Sequence, residues 1–532
     1  MTTQPPDETP EPVPGTPGPL PETSATPAAL QWPSAGSDVI GMPPPPPHRR
    51  SRTGIVIGGV AAALALIAAG GVFAASRTGG IRVAGFQIGG GDQPERVVPD
   101  SAFAIAKIDL DPPLGQKRAV HDFAAKFPSA PKAAAEDIFE AFVRQIVSSD
   151  DALNYEADVK PWLGKRVAVV GFTDAANKPQ VLGVVAVKDK DKAKQAFDKA
   201  NAKSSDDHLA YRFRKSYALL AETDQIVDAA VTQSDKHTLG DNKTYRDDVD
   251  KLHGDQVVLG WVDASRAYRV AAAAVPGFAP FAAAFSKAAN GRVVVGAHAG
   301  DGYVELEGLS LGADTKSITP AKPQLFGDLP ADTVAAVTVN NLGGAVNQAI
   351  AGAGVLGGIP GLPFSPQQLL QEFEQQFGIS LQADLLPLLR HESVLSLGSV
   401  PGLAEPKVGL VTKVDDAAKA KSVAAKLAAV AAQADLTLES DVRTNTLFLT
   451  TGTGYLGTLT AQRGLSANRN FVTAMGDLGD SIGLALYVDL GQLLVLAQDQ
   501  ESYRDLRALK ALGISVGLDG GRGYFRMRVV AG

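Results

Sequence analysis

An internal repeat relates the two halves of the chain and constrains its fold more than any other feature. Pro99 and Pro330 each precede an apolar run, and they are 231 residues apart. A second series has an offset of 226: Ala157-Asp158 matches Ala383-Asp384, Pro161 matches Pro387, Gly183 matches Gly409, Asn242 matches Asn468, Tyr245 matches Phe471, and Trp261-Val262-Asp263 matches Tyr487-Val488-Asp489. Matches at two fixed offsets indicate a duplication. We expect residues 97–318 and 319–532 to form two tandem homologous units.

Each unit mixes strand-like and helix-like hydrophobic periods. Two strand-like runs, Val167–Phe172 and Val181–Val187, follow each other without a helix between them, which predicts an antiparallel hairpin. Helical periodicity is found in Asp189–Lys203 and in its counterpart Asp415–Gln433. Further strands are predicted at Ala102–Asp109, Leu209–Arg214, Tyr217–Glu222, Val257–Val262, Arg292–Ala299, Tyr303–Leu309 and Val334–Asn340. The fold class is therefore expected to be α+β with largely antiparallel sheets.

The first 52 residues are expected to form a disordered, proline-rich tail. Residues 1–47 hold fifteen of the 34 prolines and no Lys or Arg, and such a segment buries too little apolar surface to offset its ordering entropy. Thr9, Thr16 and Thr26 each precede a proline. We interpret them as candidate phosphorylation sites that could dock a cytoplasmic partner.

An uncharged apolar segment follows the tail, and we assign residues 53–76 to a transmembrane helix. Gly54–Ala75 would extend about 33 Å as a helix, enough for a hydrocarbon core of about 30 Å. Arginines are more frequent before the segment than after it, which favours a cytoplasmic N-terminus and an exported C-terminal domain. A cleaved signal peptide is the alternative, but its apolar region would be shorter and closer to the N-terminus.

Residues 77–96 are rich in glycine and are expected to form a flexible linker. A coil of this composition spans roughly 25 Å. We therefore expect the exported domain to lie close to the membrane surface.

Composition excludes several classes of function. The chain has no cysteine, which removes disulfides, thiolate nucleophiles and cysteine-ligated metals. Its net charge of −7 gives no reason to expect nucleic-acid binding. His208 follows Asp206 and Asp207, but consecutive side chains diverge, so this group is interpreted as a solvated loop. We predict no metal or cofactor.

Three Gly-x-Ser-x-Gly sequences surround Ser310, Ser481 and Ser515. A hydrolase nucleophile sits on a sharp turn between a strand and a helix. Ser310 ends a predicted strand, Ser481 precedes one and Ser515 lies inside one. We therefore expect a protein that is not an enzyme, and a serine hydrolase of the cell envelope remains the alternative.

Two pairs of acids recur in both copies, Asp158 with Asp384 and Asp263 with Asp489. A catalytic site would more often be kept in one copy only. We interpret these acids as helix caps or turn acceptors.

The tail, span and exported domain, together with Asp111–Lys117 and Val159–Gly164, resemble an actinobacterial family of single-pass membrane-anchored proteins catalogued only as a domain of unknown function. The resemblance covers roughly residues 50–532. It implies an envelope-facing protein of the plasma membrane and supplies no catalytic or binding residue.

The expected function is binding of an envelope partner or a lipid-like ligand by the exported domain. A transmembrane sensor that signals to the tail is a further alternative. No charge occurs between Thr333 and Gln371, and this stretch contains a candidate contact loop for a partner or the bilayer, with Val355, Leu356, Ile359, Leu362 and Phe364. The alternative is that this loop folds back into the hydrophobic core of its own unit.

Overall fold

The computed structural model describes residues 92–128, 140, 143–144, 153–203, 208–274, 291–312, 315, 319–347, 374–398, 407–461, 464–495, 506–519 and 521–532. The predicted tail, its three threonines, the membrane span, most of the linker and the contact-loop residues lie outside these ranges. None of the helices in these ranges is both long enough and apolar enough to cross a bilayer.

Sixteen strands form one sheet in which every pairing is antiparallel. The first half of the chain, residues 92–312, supplies β1 (Ala102–Asp109), β2 (Leu163–Thr173), β3 (Pro179–Val187), β4 (Ala210–Arg214), β5 (Tyr217–Ala221), β6 (Val258–Asp263), β7 (Arg292–Gly300) and β8 (Tyr303–Leu311). The second half, residues 319–532, supplies β9 (Ala335–Asn340), β10 (Glu392–Leu397), β11 (Val408–Lys413), β12 (Leu438–Arg443), β13 (Thr446–Thr451), β14 (Ile482–Asp489), β15 (Leu509–Asp519) and β16 (Arg522–Ala531).

The strand order of the second half repeats that of the first. From its outer edge inward, the first half runs β4-β5-β3-β2-β1-β6-β7-β8, and the second runs β12-β13-β11-β10-β9-β14-β15-β16. Strands β1 and β9 therefore occupy equivalent places. The halves meet where β8 pairs with β16, a junction we call the seam. The seam joins the strands of the two halves into one sheet.

Helices pack on both faces of the sheet. The described helices of the first half are α1 (Leu114–Ala124), α2 (Lys190–Lys203), α3 (Asp224–Ser234), α4 (Lys243–Val249) and α5 (Ala264–Ala274), and the described helices of the second half are α6 (Ala417–Gln433), α7 (Tyr455–Ala461), α8 (Arg469–Met475) and α9 (Leu490–Val495). On one face, Phe197 of α2 packs with Leu220, as Val423 of α6 packs with Leu449. On the other face, Tyr245 of α4 and Phe471 of α8 enter the central cores.

Short helical turns complete the architecture. They are 3-10 turns at Pro94–Arg96, Leu239–Asp241, Leu465–Ala467 and Leu506–Ala508, π turns at Tyr155–Val159 and Leu381–Leu385, and one α turn at Leu386–Leu388. The predicted mixture of helices and antiparallel strands is confirmed. Most strand and helix ends lie within one or two residues of their predicted positions, although β2 begins four residues earlier.

The described residues begin at Asp92, inside the segment predicted to be a flexible linker. The Asp92 carbonyl accepts hydrogen bonds from Arg166 (3.1 Å) and from the Tyr217 hydroxyl (2.6 Å). Glu95 forms an ion pair with buried Lys107 at 2.9 Å. Buried polar groups require partners, and residues 92–96 provide them here.

The second half holds its entering segment in the same place with the opposite charge. Buried Glu392 accepts hydrogen bonds from the backbone N–H groups of Gln324 (2.9 Å) and Phe326 (3.2 Å). We expect Glu392→Ala to lower the free energy of unfolding by about 2 kcal/mol or more, because two donors lose their acceptor. Chemical denaturation of the purified full chain measures this.

Asp480→Ala is the matched control, because Asp480 forms only an exposed pair with Lys322. Surface pairs contribute little, so this variant should unfold as the wild type does. Equal stability of the Glu392→Ala variant and the control would contradict the anchoring role.

Candidate functional site

On one face of the sheet, apolar side chains continue from β8 across the seam to Leu395 of β10, with the polar residues Ser310 and Ser393 at the margins of this set. Side chains alternate between the faces of a strand, so Leu306 of β8 shares a face with Met527 of β16, which lies opposite it. This apolar face comprises Val304, Leu306, Val337, Val339, Leu395, Leu484, Leu486, Val488, Leu512, Ile514, Val516, Phe525, Met527 and Val529.

Side chains of the apolar face are partly exposed, whereas those on the other face of β14 and β15 are buried. In β14, Ala485, Tyr487 and Asp489 are buried, while Leu484, Leu486 and Val488 between them are partly exposed. Leu395 has 48% of its surface exposed. A contiguous exposed apolar surface commonly marks an interaction site.

Along the middle row of the apolar face, equivalent positions in the first half carry smaller side chains and are buried. Strand register gives one row in each half: Val169, Ala106, Gly260, Val295 and Gly308 in the first, and Leu395, Val337, Leu486, Ile514 and Met527 in the second. Each residue of the second row is larger than its counterpart. All five residues of the first row are buried, and none of the second is. The halves share a backbone plan and differ in the surface that they present.

Charged residues gather at the seam on the opposite face, where Glu305 and Glu307 of β8 are buried. Glu307 of β8 accepts hydrogen bonds from the His253 backbone N–H (2.6 Å), and its carboxylate lies 2.7 Å from His253 Nδ1. Glu305 forms an ion pair with Arg528 of β16, whose guanidinium lies 4.3 Å from the ring centre of Tyr303.

The hydrogen bond to Glu307 raises the pKa of His253, and partial burial opposes that shift. No group of three metal-binding side chains occurs in the part of the chain that the structure describes. The charges at the seam have protein partners, so the arrangement is suited to holding strands together.

The three candidate serines lie in different settings. Ser310 is the penultimate residue of β8, Ser481 directly precedes β14, and buried Ser515 lies inside β15. None of them occupies a turn that leads from a strand into a helix, although Ser481 lies in the connection from α8 to β14. Exposed His208 approaches Asp224 at 3.7 Å, and its sequence neighbours Asp206 and Asp207 are outside the described residues.

The first pair of recurring acids consists of acceptors in helical turns, in agreement with the prediction of caps or turn acceptors. Asp158 accepts from the Asn154 N–H, and Asp384 accepts from the Ser380 N–H. Ion pairs with Lys199 and Lys426 are the main reason that the pKa values of these two carboxyl groups are lowered.

The second pair acts at the starts of α5 and α9. Asp263 accepts from the Arg266 N–H and Asp489 from the Gln492 N–H, each at 2.9 Å. All four acids therefore stabilise local structure in both halves.

Sequence reasoning did not identify the apolar face. Its signal was present in alternating runs such as Leu484, Leu486 and Val488 of β14 and Leu512, Ile514 and Val516 of β15. A half-buried strand has this pattern whichever face is covered. Only the register shows that these alternating residues lie on one surface.

The His253–Glu307 pair predicts a pH-dependent stability. A raised pKa in the folded state means that protonated His253 stabilises the fold below its unfolded pKa of about 6.5. This contribution is lost as pH rises through the folded-state pKa. Melting temperatures of the full chain from pH 5 to 9 should fall more steeply over that interval than those of His253→Asn. Parallel profiles would contradict the prediction.

Comparisons with known proteins give one family and one distant structural likeness. No curated protein matches the chain. A solved structure titled "Structure of crystal form III of TP0453" aligns at 8% identity and covers 42% of this chain and 82% of its own, with a TM-score of 0.22. A family model described as "Protein of unknown function (DUF3352)" matches residues 57–482. That match spans well over half of the sequence, and the chain therefore belongs to the DUF3352 family.

Proposed function

We propose that this is a membrane-anchored envelope protein, not an enzyme, whose exported domain binds a lipid-like ligand on the apolar face. The half-exposed row Leu395, Val337, Leu486, Ile514 and Met527 is the observation that carries the proposal. In this proposal Gly54–Ala75 anchors the chain in the plasma membrane, the tail is cytoplasmic, and the two halves of the domain descend from one duplicated unit.

Backbone pairing supports a ligand that binds through side-chain contact. Strands β9, β14, β15 and β16 each have a partner strand on both sides, so their central N–H and C=O groups are already used in the sheet. A peptide therefore has no free strand edge there to extend.

The chemistry of the apolar face supports a hydrocarbon ligand. None of its side chains can donate a hydrogen bond or carries a charge. A polar ligand would give up its hydrogen bonds to water without replacement, at a cost of roughly 1–3 kcal/mol for each group. A hydrocarbon chain has no such loss, and each buried methylene contributes about 0.8 kcal/mol.

The size of the face also supports an acyl chain. Extended by Leu306 of β8, the row crosses six neighbouring strands, which at about 4.8 Å between strands spans about 24 Å. One leaflet of a bilayer core is about 15 Å thick, so an acyl chain fits across the row. Ten buried methylenes would contribute about 8 kcal/mol before the entropic cost of association.

Photocrosslinking in native membranes tests the ligand. A photoreactive amino acid at Leu486 or Met527 of the full chain should crosslink to acyl chains that carry a clickable tag. Lys421, on the exposed side of α6, is the control position and should give little product. Equal lipid adducts at all three positions, or adducts with protein alone, would contradict the proposal.

Reporter fusions test the membrane topology. A reporter that works only in the cytoplasm should be active when fused at Thr2, and one that requires export should be active after Gly532. We expect this result because more arginines precede Gly54–Ala75 than follow it, and the positively charged flank of a membrane span usually stays in the cytoplasm. The reverse pattern, or a mature protein that begins near Ser76, would contradict the anchored arrangement.

A further inference from the structure

The seam joins two equivalent strands around a pseudo-two-fold axis. Strand β8 is the last strand of the first half, and β16 is the last strand of the second. Glu307 and Arg526 are each the fifth residue of their strands, and they lie directly opposite each other. In a two-fold pairing, a residue on the axis faces its own counterpart. Glu307 and Arg526 are therefore equivalent residues that carry opposite charges.

Pairing of like halves would place like charges on that axis. Two β8 strands in this register would oppose Glu307 to Glu307, and two β16 strands would oppose Arg526 to Arg526. Like charges that lie directly opposite each other destabilise a sheet. Their repulsion is stronger where the side chains are buried, and the side chain of Glu307 is buried.

We propose that this separation of charge makes the seam a selective interface, in which the first half accepts only the second half as its partner. Acids lie on β8 and bases on β16. The Glu305–Arg528 ion pair crosses the seam and links the two halves directly.

In each half, neighbouring hydrogen-bonding groups favour the charge that the strand at the seam carries. In the first half, Glu307 accepts hydrogen bonds from His253 and from Gln256 Nε2, the latter at 2.9 Å. In the second half, Arg526 donates to the carbonyl groups of Met475 (2.8 Å) and Asp477 (2.6 Å), just after α8. An acid could not replace Arg526 there, because carbonyl groups require a donor. The charge pattern is therefore built into both halves and not only into the two strands.

The apolar face of the seam does not distinguish the halves. Leu306 lies opposite Met527, and Val304 lies opposite Val529, and apolar contacts of this kind are non-directional. Selectivity therefore depends on the charged face. The inference concerns assembly and does not rest on the proposed lipid ligand.

Exchange between cleaved chains tests the selectivity. The full chain receives a protease site within residues 313–318, is folded and is then cut. Two preparations with different mass labels are mixed in mild denaturant and returned to buffer. Native mass spectrometry should show exchange that yields only complexes of a first half with a second half. Complexes of like halves would overturn the proposal.

A neutral seam provides the matched control. The same cleaved chain carrying E305Q, E307Q, R526Q and R528Q should form like-half complexes, because no repulsion remains. Their absence from this variant would also overturn the proposal, since shape alone would then explain the choice of partner.

Charge reversal in the uncut chain gives an independent measurement. Glu305→Arg and Arg528→Glu should each lower the melting temperature by about 5 °C or more, because each leaves like charges at a largely buried position. The double variant restores opposite charges and should lose less stability than the sum of the two single losses, although the Thr473 carbonyl still lacks its Arg528 donor. Simple addition of the two losses would show that no charge pairing acts across the seam.

Discussion

Antiparallel pairing of β8 with β16 is the contact on which the rest of the structure depends. Without it, each half would end in a long strand with unpaired N–H and C=O groups beside an apolar surface, which is the usual setting for uncontrolled strand association. The pairing removes both edges at once. It also makes the apolar face continuous from the first half into the second.

The two halves share their strand order more closely than they share residue types. Arg166 and Glu392 occupy equivalent places and both hold the segment that enters their half, but one donates to a carbonyl and the other accepts from N–H groups. Glu307 and Arg526 show the same inversion at the seam. A buried charge can be reversed during divergence when the backbone groups it contacts change from acceptors to donors.

The spacing of residues along the sequence predicted the helices and strands. It could not predict contacts between residues that are far apart in the sequence. The fixed offsets identified equivalent segments, and the helical spacing of Ala193, Ala196 and Phe197 predicted α2 correctly. Asp158 and Asp384 could be interpreted as caps because their partners are close in sequence. The seam joins residues more than two hundred positions apart, and no periodicity within either strand encodes that register.

Side-chain size then accounts for how a symmetric scaffold offers one surface instead of two. Gly260 corresponds to Leu486, and Gly308 corresponds to Met527. The row of the first half therefore has small, buried residues, whereas the row of the second half has large, partly exposed side chains. Glycine allows other chain segments to approach a sheet closely, whereas bulky branched side chains hold them away and provide contact area themselves. Substitution along a single row is therefore enough to divide the two roles. The middle row of the first half is buried, and the second half presents the apolar surface that we propose as the ligand site.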